Sequence, residues 1–126
     1  MWRRHVKWVL IAKGGRMIKV ISLIFKKPDL TDEGFARYWK EKHGPLAGKV
    51  IPGLRKYTQN HFLKLPGLKY EGNGLVELWF DDLESVKTYL AWRQSDAARP
   101  LSDDEEKFID RSKTVRYVVE EHIIIR

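Results

Sequence analysis

Between residues 18 and 63 the spacing of apolar side chains changes from two to four and back to two, a pattern that folds as strand, helix and strand. From Ile18 to Phe25 both parities are apolar, with Ile18, Val20 and Ile24 on one side and Ile21, Leu23 and Phe25 on the other. That is the mark of a strand covered on two faces. Lys26-Lys27-Pro28-Asp29 stops it. Thr31 then offers a capping hydroxyl, and Asp32 and Glu33 stand in the first turn, where the helix dipole favours negative charge. Phe35, Trp39, His43 and Ala47 return at steps of four, with Leu46 and Val50 beside them, and predict one buried helical stripe. Gly44-Pro45 is expected to break or kink that helix just after His43. Beyond the turn Ile51-Pro52-Gly53, a second strand over 54–63 sets Arg55, Tyr57, Gln59 and His61 against Leu54, Thr58 and Phe62.

Residues 64–74 contain Pro66, Gly67, Gly72 and Gly74 and read as a loop, after which 75–81 alternate as a third strand. Asp81-Asp82 starts a second helix carrying Leu83, Val86, Tyr89 and Leu90, and Arg99-Pro100 ends that region. Ser102 and Glu105 match a capping box opening a short extra helix. Residues 114–125 are rich in β-branched side chains and predict a fourth strand that runs through Ile123-Ile124-Ile125. The order β-α-β-β-α-β is the ferredoxin-like α+β arrangement, a four-stranded antiparallel sheet with its helices on one face. Tyr57, Trp79, Val119 and Ile123 are expected to add apolar area on or near the other face. Such a patch needs cover, and a twofold homodimer packed sheet to sheet supplies it.

With 126 residues, 43% of them hydrophobic, the chain suits a single core. The formal charge of +7 would point to nucleic acid were it spread along the fold. Five of the 24 basic residues precede Met17 with no acidic residue among them, which leaves 19 basic against 17 acidic residues beyond. Residues 1–16 are therefore expected to be a basic extension, and 17–126 the folded domain. The apolar run Trp8 to Ala12 is shorter than the roughly 7–15 residues of a secretory segment and the roughly 20 of a membrane span. Neither export nor a membrane partner is expected. The absence of cysteine excludes disulfides and thiolate sites and fits a reducing compartment, so a cytoplasmic location is expected.

Phe35, Tyr38-Trp39, His43-Gly44-Pro45-Leu46-Ala47 and Pro52-Gly53-Leu54-Arg55-Lys56-Tyr57 form the pattern F-x-x-Y-W-x-x-x-H-G-P-L-A followed by P-G-L-R-x-Y. This closely resembles the EthD domain. The resemblance covers nearly all of 17–126 in element order and concentrates its specific residues between 35 and 57. It implies the dimeric α+β barrel, a superfamily with polyketide cyclases, muconolactone isomerases, small monooxygenases and haem-handling enzymes, and hence the fold much more than the reaction. An oxidoreductase label would rest on the resemblance alone, because no redox-active residue stands out.

His43 is the candidate catalytic residue, since imidazole both accepts and donates a proton near neutrality, as enolisation, cyclisation or decarboxylation requires. The competing reading is structural: His43 could cap carbonyls freed at Pro45 or fill the helix-sheet layer. Trp39, Tyr57, Gln59, His61 and Trp79 are the candidate ligand-binding residues. Tyr57 and His61, about 13 Å apart along one strand face, suit two ends of one ligand. Glu77 and Glu121 could serve as a carboxylate base if buried. The four histidines show no H-x-H or H-E-x-x-H spacing, so no metal site is expected. Dinucleotide, P-loop and serine-hydrolase motifs are absent as well. An RNA-binding sheet of this fold needs an aromatic, glycine-rich third strand with basic neighbours, whereas Glu77, Asp81 and Asp82 make this one acidic. Nucleic acid is not an expected partner. No cofactor is predicted; the resemblance leaves haem open, with a histidine as its ligand. The chain thus reads as an enzyme using general acid/base chemistry on a small, largely apolar metabolite, or as a non-catalytic binding subunit of a pathway.

Overall fold

The computed structural model describes residues 18–126, so the basic segment 1–16 and its expected boundary at Met17 lie outside the described residues. Four strands, β1 (Ile18–Ile24), β2 (Lys56–His61), β3 (Gly74–Phe80) and β4 (Val115–Glu120), form one antiparallel sheet in the order β2-β3-β1-β4. Helix α1 (Asp32–Tyr38) and helix α2 (Gly44–Val50) join β1 to β2, while α3 (Leu83–Arg93) and α4 (Arg99–Glu105) join β3 to β4. This is the expected ferredoxin-like arrangement. No helix among the described residues is long and apolar enough to cross a membrane.

The helices cover one sheet face. Val20, Leu78 and Phe80 pack there against Ala47, Ile51, Val86, Tyr89 and Leu101, and a second cluster joins Ile24 to Phe35, Trp39, Phe108 and Ile109. β1 differs from its expected form, because among the described residues only one of its faces is covered. Val20 and Ile24 are buried, but Ile21 and Leu23 on the bare face are only partly so. Register places Tyr57, Gln59 and His61 on the covered face, opposite Leu78, Val76 and Gly74. Tyr57 therefore adds nothing to the bare face, contrary to expectation; the strand parity was legible, but not which parity meets the helices.

The helix does not end at Gly44-Pro45. A wide π-helical turn over Trp39–His43 carries α1 into α2, with the Gly44 N–H reaching back to the Trp39 carbonyl. Pro45 falls in the first turn of α2, where its fixed φ suits a helix. The wide turn also explains the stripe. Steps of four on an α-helix drift by about 40° each; one slack turn takes up part of that drift, and Phe35, Trp39, His43 and Ala47 are all buried.

Two other boundaries move. Arg99-Pro100 opens α4 rather than closing the region, so Ser102 is interior to the helix and not its cap. β4 ends at Glu120, and Ile123, Ile124 and Ile125 lie exposed beyond it. Thr31 and Asp82 cap as expected, accepting from the N–H groups of Gly34 and Ser85.

Candidate functional site

Between the helices and the sheet lies a cavity of about 420 Å³. Its lining combines apolar Ile24, Trp39, Ala47, Val76 and Leu78 with polar side chains. The exposed residues of its lining, Gln94, Arg111, Ser112 and Arg116, mark the mouth.

His43 lines this cavity and is 5% exposed. Its Nδ1 lies 2.8 Å from Asp104 Oδ2, and the Tyr38 hydroxyl donates to Asp104 Oδ1 at 2.5 Å. A carboxylate only accepts, so in the neutral imidazole Nδ1 carries the proton and Nε2 presents its lone pair. Among the described residues no hydrogen bond engages Nε2. Burial, reinforced by Asp104, pushes the Tyr38 phenol up to about 12, so it stays a donor across the physiological range.

The chain holds this arrangement from several sides. Phe108 packs on the His43 ring at 4.8 Å between centroids. The segment bearing Phe108 is tied to the end of β1 by Lys27 N–H to the Phe108 carbonyl and Asp110 N–H to the Phe25 carbonyl. That tether sets α4, and with it Asp104, over the π turn. Trp39 fits only because residue 74 is glycine: a Cβ there would come within 2.5 Å of the indole. At Gly44 a Cβ would stand 2.9 Å from Gln59 Nε2 and 3.2 Å from the Trp39 carbonyl oxygen, so the Gln59 amide would have to shift.

Tyr57, Gln59 and His61 are brought together in one hydrogen-bonded row. Gln59 donates to the Tyr57 hydroxyl oxygen at 2.8 Å and to the Trp39 carbonyl at 2.9 Å, and its Oε1 meets His61 Nε2 at 2.8 Å. His61 stacks on Trp39 with centroids 4.3 Å apart. Tyr57 lines the cavity, whereas Gln59 and His61 stand behind it as supports. Burial pushes the Tyr57 phenol up, against the pull of Gln59 and Trp39. Burial, helped by the Lys40 charge, holds the His61 imidazole below its ordinary range.

Trp79 is not part of this group. It lies on the bare face between the ammonium groups of Lys19, 4.9 Å from a ring centroid, and Lys56, at 4.5 Å. Glu77 and Glu121 are there too, paired with Lys19 at 2.7 and 3.4 Å, and Glu77 also accepts from Thr58 and Asn60. Burial works to raise the Glu77 carboxyl, but these partners outweigh it and hold the group below its usual range.

Sequence reasoning missed Asp104, Tyr38 and the salt-bridged rim. Asp104 sits 61 residues from His43 in an acidic block that looks like a helix start, and no spacing rule connects the two. On the rim, Glu105 receives a two-pronged contact from Arg93, at 2.7 and 3.1 Å, with Arg111 at 3.5 Å. No cluster of three or more side chains able to hold a metal forms among the described residues, and His43 is the one lining residue that could offer an iron a nitrogen.

The family model for the EthD domain matches residues 27–112. No protein of curated function matches the chain. Among solved structures, an ethyl tert-butyl ether d (EthD) family protein from Bacillus halodurans C-125 is 24% identical with a TM-score of 0.64, covering 84% of this chain and 99% of its own. A dimeric protein of unknown function and ferredoxin-like fold from Bacteroides fragilis is 20% identical with a TM-score of 0.53, covering 85% of this chain and 96% of its own. A hydroxynitrile lyase from Passiflora edulis is 11% identical with a TM-score of 0.60, covering 88% and 98%.

Proposed function

The chain belongs to the EthD domain family, and we propose that it is an enzyme that takes a small, largely apolar organic molecule into the cavity under its helices and moves a proton on it through His43. The observation that carries this reading is a buried imidazole with one nitrogen fixed by Asp104 and the other unengaged at a cavity wall. In such a site Nε2 takes a proton from a carbon next to a carbonyl group, and the imidazolium that forms is stabilised by the carboxylate at Nδ1. The Tyr57 hydroxyl oxygen already accepts from Gln59, so its hydrogen is available to the developing enolate oxygen. Nε2 then returns the proton to another atom of the same ligand. Isomerisation and cyclisation use such a transfer, decarboxylation uses its second half, protonation of the carbon that loses CO₂, and the fold supports catalysis in the lyase of Passiflora edulis.

The assembly we propose is a homodimer joined through the bare face. Partly buried Ile21, Leu23 and Leu75 and exposed Val115 and Tyr117 lie there uncovered among the described residues, and a structural neighbour of the same fold is described as dimeric. Native mass spectrometry that finds only monomer at micromolar concentration would refute this assembly.

The catalytic reading is tested by hydrogen–deuterium exchange at the α-carbon of 2-tetralone, followed by proton NMR in D₂O. Wild-type protein is expected to accelerate exchange, and His43→Gln to lose that acceleration while keeping its melting temperature and assembly state. Binding of the ketone with no acceleration would move the protein to the non-catalytic binding role.

A further inference from the structure

The cavity has a polar end that the proton chemistry does not use. Ser22 of β1 lines it and is only 7% exposed, yet its hydroxyl has no hydrogen-bond partner among the described residues. A buried hydroxyl without a partner costs about 1–3 kcal/mol, and here its open side is the cavity. Its cross-strand neighbour in register is Arg116 of β4. Directly opposed residues on one sheet face hold their Cβ atoms about 5 Å apart, and Arg116 also lines the cavity.

The guanidinium groups around this end are not equivalent. Arg93 is locked onto Glu105, and Arg111 is shared between Glu105 and Glu106, the latter at 3.0 Å. No ion pair engages Arg116 among the described residues. Three guanidinium groups line the cavity against the single carboxylate of Glu105, so this end is electropositive, and the uncommitted charge stands beside the uncommitted hydroxyl. The field of Arg116 reaches inward: burial pushes the Tyr89 phenol up, while Arg93 and Arg116 draw it back down.

We infer that Ser22 and Arg116 form an anchor for a carboxylate, so that the ligand of this protein is an apolar acid whose charged group binds at the mouth while its ring or chain lies over Val76 and Leu78 toward Tyr57. The inference rests on the cavity being the ligand site. A hydroxyl donor next to a guanidinium fork suits two carboxylate oxygens, and charge-assisted hydrogen bonds of this kind are the strong ones. From Ser22 on β1 to Tyr57 on β2 the sheet crosses two strand spacings, about 10 Å, which a two-ring acid spans.

The test compares 2-naphthoate with its neutral counterpart 2-naphthamide by isothermal titration calorimetry at about 0.15 M salt, on the full chain. Naphthoate is expected to bind wild-type protein about tenfold more tightly than naphthamide. Arg116→Gln is expected to bring naphthoate down to the affinity of naphthamide, and Ser22→Ala to weaken naphthoate several-fold. Lys113→Gln removes a nearby positive charge that does not line the cavity, and is expected to keep the preference. Equal affinities in the wild type, a preference that survives Arg116→Gln, or one lost equally in Lys113→Gln would overturn the anchor while leaving the cavity as the ligand site. Binding of neither compound would overturn both.

Discussion

Asp104, on the covered side of the sheet, takes hydrogen bonds from Tyr38 and His43; Glu77, on the bare side, takes them from Lys19, Thr58 and Asn60. Each is a partly buried carboxylate at the centre of a polar cluster. They differ in what their partners leave open. Lys19 is itself held between Glu77 and Glu121 and does not line the cavity of His43. His43 gives Asp104 one nitrogen and keeps the other for the cavity. A satisfied network stabilises structure, whereas a network with one unengaged titratable atom at a cavity wall can act on a ligand.

The largest expected effect separates the packing of the two faces. Trp39→Ala should cost about 3–5 kcal/mol in urea unfolding, because the indole is 1% exposed and seated on Gly74. Trp79→Ala should cost less in the single chain, since lysine side chains rather than a packed layer of helices flank that ring there, and should in addition weaken the proposed dimer. Equal losses would break the comparison. Next, Asp104→Asn should slow the tetralone exchange by about 100-fold, because an amide no longer stabilises the imidazolium, while Glu77→Gln should leave the rate within about twofold of the wild type. A slow Glu77→Gln enzyme would show that the bare face takes part in the chemistry.

Lys19→Met should destabilise by about 1–3 kcal/mol, leaving Glu77 without its main partner, and the double variant with Glu77→Gln should recover much of that loss. Full additivity in chemical unfolding would refute the coupling. The smallest effects are in pH, and they run in opposite directions. Glu77 ionises below its usual range, so its contribution is present above about pH 4.5 and is lost as pH falls through the folded value. Tyr38 is raised to about 12, so its contribution is present below about pH 10 and is lost as pH rises toward 12. Absorbance at 295 nm should show Tyr38 ionising earlier in Asp104→Asn; an unchanged titration would remove Asp104 as a cause.

The order of elements, the buried stripe Phe35-Trp39-His43-Ala47 and the caps at Thr31 and Asp82 were all legible, because periodicity and capping are local properties of the chain. Gly44-Pro45 misled: proline excludes a backbone donor, yet the neighbouring carbonyl of Trp39 is satisfied by Gly44 through a wide turn and by a side chain from β2. β4 ends at Glu120, which pairs with Ile18, the first described residue of its neighbour, although Ile123-Ile124-Ile125 beyond it has strand-forming residues.

For the site, the sequence alone determined that His43 would be buried on a helix face together with Trp39, and that Tyr57, Gln59 and His61 would share one strand face. Only the tertiary structure decided that this strand face lies under the helices and that Trp79 lies on the opposite side. The same holds for Asp104 reaching His43 and for Arg116 meeting Ser22. Which side of a sheet the helices cover, and which residues separated by 60 or more positions meet, depend on the closure of the whole chain. Local spacing carries no record of that closure.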